Sequence, residues 1–145
     1  FYAWTQDQAE KLREVRDNRL DAANLAEEVA DLGDSKLQAT KGHLRQMLIH
    51  LLKAAFSPAD RPKAGWLAEV GLHHAEALDH YSPSMRAKID LDRLWQQALT
   101  YAGRALSDHG EPGLPSDLTC PFTLDDLLAE EFDVDAAVER LSRGE

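Results

Sequence analysis

The sequence predicts an all-α fold, a single-domain bundle of about six helices with a long central third helix. Three observations lead there. Apolar residues recur at spacings of three and four along most of the chain, and no run alternates with period two for the length of a strand. The breaker-rich segments "SPADRP" and "DHGEPGLPSDLTCP" cut that pattern into pieces. The 145 residues suit one core, and 43% hydrophobic with 29% charged residues is a globular composition.

Each element has a local reason. Thr5 is an N-cap type for a first helix reaching about Val15, and Asp21 starts a second that Gly33 can close in the left-handed conformation. The third is expected from about Asp34 to Phe56, and its lower half is apolar on nearly every side, as in the middle of a bundle. A fourth runs from about Lys63 to His80. Ser82 followed by Pro83 opens a fifth stretch to about Ser107, with a break near Asp90. Thr123 caps a sixth helix, with Asp126 at the capping-box position and Phe122 able to staple onto Leu127. The domain is placed at 1–132, and 133–145 is read as a C-terminal helical tail at its periphery.

The net charge of −10 repels phosphate backbones and anionic lipid, so no nucleic acid and no membrane surface is expected as partner. A basic protein is the class the charge invites. Cys120 is the single cysteine, so there is no intrachain disulfide and no Cys-built zinc site, which fits a reducing, cytoplasmic compartment. The most apolar run, "MLIHLLKAAF", is about half the ~20 residues of a membrane span, and no signal peptide is visible.

Two constellations are candidates for chemistry. Glu69, His73, Glu76 and His80 lie along one stripe of the fourth helix, and carboxylate with imidazole suits zinc, manganese or iron. Their direction argues against a metal. With Leu67, Val70, Leu78 and Tyr81 defining the apolar face, the stripe is expected to look out to solvent as i,i+4 pairs. The second constellation is Glu28, His50 and Lys53, with His43 sharing the face of His50. A buried imidazole needs a partner, and Glu28 is expected to pair with His50 or Lys53, as an interhelical pair or as a base with its orienting carboxylate. His74, on the apolar side, is read as structural, and Cys120 has no activating neighbour. Glycine-rich phosphate loops, CxxC pairs and HExxH are absent, no catalytic residues are assigned, and no cofactor is expected.

The blocks "FYAWTQDQA", "NLAEEVADLG", "HLLKAAFSP", "YSPSM", the aromatic Tyr101 and "CPFTLDDLL", in that order, resemble a bacterial family known as domain of unknown function 29. The resemblance runs from Phe1 to about Phe132 and implies an all-helical fold, with no catalytic residues to carry over. It draws attention to the blocks around Glu28 and around His50 and Lys53. His73, His74 and His80 fall where the family pattern more often has arginine, glutamine or glutamate. The leading expectation is a cytoplasmic protein-interaction domain, self-associating or holding a basic protein, and not an enzyme. The alternative is a metal- or small-ligand-binding helical enzyme built on Glu28 and His50.

Overall fold

The structure, a computed structural model, describes residues 1–60 and 62–144. Helix α1 (Tyr2–Glu14) begins three residues before its expected cap. Thr5 is fully buried inside it, and its hydroxyl donates to the Tyr2 carbonyl at 2.7 Å. The expected second and third helices form one continuous helix, α2 (Ala22–Phe56), capped at Asp21, whose carboxylate accepts from Asn24 N–H. Gly33 does not end a helix. A Cβ there would lie 2.0 Å from Thr5 Oγ1, so its missing side chain lets α1 cross α2 at close range.

Past α1, α2 is the central helix of the bundle. Leu44, Met47, Leu48, Leu51 and Leu52 on it are fully buried. Helix α3 (Lys63–His80) folds back along it, and Val70 and Ala77 are fully covered. The expected break near Asp90 is present: a 3-10 turn, Pro83–Lys88, seats Met85 in the core before α4 (Leu91–Asp108), whose first turn Asp90 caps through Arg93 N–H. Trp95 on α4 is buried, and its Nε1–H donates to the Leu118 carbonyl at 3.3 Å, which ties down the long loop.

The sixth expected helix is a single turn, α5 (Leu124–Leu127), with both halves of its capping box formed between Thr123 and Asp126. Residues expected at the periphery form α6 (Val134–Arg143), which packs against α2 and α3 and buries Ala137 and Leu141 in the same core. Among the described residues there is no strand, and the fold is all-α. No described helix is long and apolar enough to cross a membrane.

Candidate metal centre

On α2, His43 and His50 are seven residues apart; on α3, Glu69 and Glu76 are seven apart, as are His73 and His80. Seven residues make two turns with about 20° of drift, so each helix presents the same polar layer twice on one side. The two helices run antiparallel, which matches the layers in reverse order. His43 meets Glu76 and His80, and His50 meets Glu69 and His73. Within each trio, one donor atom from every residue lies within 4.8 Å of the others.

The trios touch. The His43 and His73 Nδ1 atoms are 2.9 Å apart, and those rings have centroids 5.2 Å apart. His43 stacks on His80 and His50 stacks on His73, each pair at 5.8 Å. His73 Nε2 also lies 3.6 Å from Glu69 Oε2, and His80 Nε2 lies 3.9 Å from Glu76 Oε2. Four imidazoles and two carboxylates therefore form one ladder along the flank of the α2/α3 contact.

This placement corrects the expectation that the α3 stripe faces solvent. The His73 and His80 side chains are only 18% and 32% exposed. The most deeply buried positions of α3 are Val70, His74 and Ala77, whereas Leu67 and Leu78 are half-buried. That rotation of the helix, at about 100° per residue, carries the stripe round to the side along which α2 passes. Glu69 and Glu76 stay about half exposed, at the solvent edge of the ladder.

The Glu28 and His50 pairing is excluded. Both residues lie on α2, 22 positions apart, which is about 33 Å at 1.5 Å per residue, and Glu28 is exposed. Lys53 borders the ladder without joining it. Its ammonium sits over the Trp66 ring at 5.0 Å, with its pKa lowered by burial. His74 donates from Nε2 to the Ala129 carbonyl at 2.8 Å and packs on Phe132, a structural position as expected. Cys120 is half-buried, and burial pushes its thiol pKa up, so nothing activates it.

The electrostatics favour the neutral ring at His50 and at His43. Burial, then the nearby Lys53 and His73, draw His50 down to about 4; burial, then His73, lower His43 as well. A neutral imidazole has a free lone pair, the form that binds metals. Two ring nitrogens, His50 Nδ1 and His80 Nδ1, are buried with no hydrogen-bond partner among the described residues, one in each trio. Such a group costs about 1–3 kcal/mol if left unsatisfied, and a coordinated cation would satisfy it. Two imidazoles and a carboxylate suit first-row divalent ions and leave coordination positions for water.

The sequence contained a signal that could have found this site. His43/His50, Glu69/Glu76 and His73/His80 share one heptad spacing on consecutive helices, and consecutive helices joined by a short turn pack antiparallel.

An alpha-helical protein of unknown function from Rhodospirillum rubrum, known from a crystal structure, is 32% identical to this chain. It superposes with a TM-score of 0.87 over 97% of this chain and 93% of its own. No curated protein matches the chain. The family model described as "Domain of unknown function DUF29" matches residues 1–133, and to that family this chain belongs.

Proposed function

We propose that this protein binds first-row divalent metal ions on the α2/α3 flank, one in the His43, Glu76 and His80 trio and one in the His50, Glu69 and His73 trio. The observation that carries the reading is the convergence of these six side chains with a buried, partnerless imidazole nitrogen in each trio. A bare ladder of four stacked imidazoles would leave those nitrogens unsatisfied and gain nothing for it. With three protein ligands per ion, open positions remain for water, which such ions acidify, or for a substrate oxygen, which they polarise.

The test is a native mass spectrum of full-length protein purified without a metal-affinity tag or chelator, followed by titration of the stripped protein with zinc and with cobalt. The expected result is two ions per chain, with cobalt giving the visible absorption of a nitrogen and oxygen site. His50→Ala and His80→Ala should each lose one ion while keeping the helical circular dichroism. An apo mass, no cobalt absorption and no rise in Tm with zinc would together overturn the reading.

The protein-interaction reading keeps one observation of its own, the exposure of Trp4, Leu25 and Leu32 along the α1/α2 arm. As a second reading, this arm is a self-association surface. It requires a dimer mass that Trp4→Ser with Leu32→Ser reduces to a monomer, and a monomeric wild type removes it.

A further inference from the structure

On α2, Lys41 and Arg45 flank His43 at two positions either side, about 200° around the helix from it, and so project away from the metal-site flank. There they line a surface cavity of about 550 Å³ between α2 and the start of α4, together with Lys88 and Arg93. Four cations from three elements thus share one concavity in a chain whose net charge is −10.

None of the four forms an ion pair among the described residues, although six other lysines and arginines do. Among the described residues Asp90 is the single acid on the rim, and its carboxylate is engaged in capping α4 through Arg93 N–H at 3.0 Å. Arg45 is held across the cavity by donating to Gln97 Oε1 at 3.3 Å. Lys41 and Arg45 stand at i,i+4, a spacing at which like charges repel and destabilise a helix. A cluster of this kind, with acids available elsewhere, is relieved by an anion from outside.

We infer that this cavity binds a small phosphate-bearing anion, with Arg45 and Arg93 as the planar forks that engage phosphate oxygens in pairs and Lys41 and Lys88 as point charges. The volume falls in the range of small-molecule sites. Among the described residues the lining is polar apart from Gly42 and Leu94, with Gln38 and Gln97 offering amides and no aromatic ring to stack on a base, which favours a phosphorylated sugar or a polyphosphate over a nucleobase. A long nucleic acid would meet the repulsion of the remaining acidic surface.

The experiment uses full-length protein and pyrophosphate as probe. Calorimetric titration should show one saturable site that weakens with added salt, and Arg45→Gln with Arg93→Gln should weaken it roughly tenfold or more. Arg104→Gln, an exposed arginine further along α4, should leave it unchanged. A second measurement needs no variant: pyrophosphate should protect Arg45 and Arg93, but not Arg104, from phenylglyoxal in peptide mapping of the wild type. Absence of saturable binding, or equal protection of all three arginines, overturns the inference. Tighter binding of a DNA duplex than of pyrophosphate overturns it as well.

Discussion

Gly33→Ala places a methyl group where α1 crosses α2. The new Cβ would lie 2.0 Å from Thr5 Oγ1, 3.1 Å from Thr5 Cβ and 3.3 Å from Gln6 Nε2. Thr5 cannot simply turn aside, because it is fully buried and its hydroxyl is bonded to the Tyr2 carbonyl. Breaking that bond costs about 0.5–1.5 kcal/mol, and forcing the helices apart costs about 1–3 kcal/mol of overpacking. Against this, alanine in a helix interior gains about 1 kcal/mol over glycine. The net expectation is a loss of about 1–3 kcal/mol. Gly71→Ala is the control, since no atom lies within 4 Å of a Cβ there and only the propensity gain operates. Urea midpoints should therefore move in opposite directions for the two substitutions. Combining Gly33→Ala with Thr5→Ala removes the closest clash, so the double variant should lose at least about 1 kcal/mol less than the two single losses added together. Equal stabilisation by Gly33→Ala and Gly71→Ala, or strict additivity in the double, would refute the close-crossing argument.

Three further expectations rest on single side chains. In metal-free protein, the unfolded chain protonates His50 near pH 6.5 whereas the folded chain resists until about pH 4, so stability falls as pH falls through that window. For a partly buried ring, discounted for solvent screening, the loss is roughly 1–2 kcal/mol, and His50→Gln should flatten the dependence of the urea midpoint on pH relative to wild type. His74→Ala should cost about 2–3 kcal/mol by orphaning the Ala129 carbonyl and opening space beside Phe132, yet leave zinc stoichiometry intact, whereas His73→Ala should lower the stoichiometry. Leu141→Ala should cost about 2–4 kcal/mol in urea unfolding, because α6 docks on its own bundle; a change near zero would mean that the C-terminal helix contributes little to the fold.

Helices were legible in this sequence wherever the signal is local. Spacing at three and four residues, the Asp21 cap and the capping box at Thr123 all act within one or two turns, and each marks the same feature in the structure. What failed was the reading of local signals that a neighbour overrides. Gly33 followed by Asp34 and Ser35 resembles a stop and a restart, but glycine serves equally where another helix must approach, and only the position of α1 distinguishes the two uses. The rotation of α3 was hidden for a similar reason. Leu67, Leu72 and Leu78 spread around the helix, with Leu72 left exposed, so its apolar residues alone define no sharp inward direction. The sequence alone places His43 and His50 on one face and shows the stripe on α3. Joining them requires the antiparallel match of two heptad-spaced sets, and a Glu28 pairing with His50 is possible only if α2 is two helices folded back on each other, whereas it is one.

The central helix thus answers two opposing demands. Its seam of Leu44, Leu48 and Leu51 is fully buried and supplies the apolar contact that holds the bundle together. Between those residues it presents imidazoles toward α3, where they stack on His73 and His80, and cations toward α4. A sequence selected for stability alone would fill His50 and His80 with leucine or alanine, removing two buried nitrogens that have no partner. Local rules are broken on both flanks of α2 while the seam obeys them, and departures of that kind concentrate where a protein binds something. The two flanks differ in sign, one offering lone pairs to a cation and the other positive charge to an anion. Since the two sets face opposite ways around the same helix, a cation and an anion bound as proposed would not compete for the same side chains.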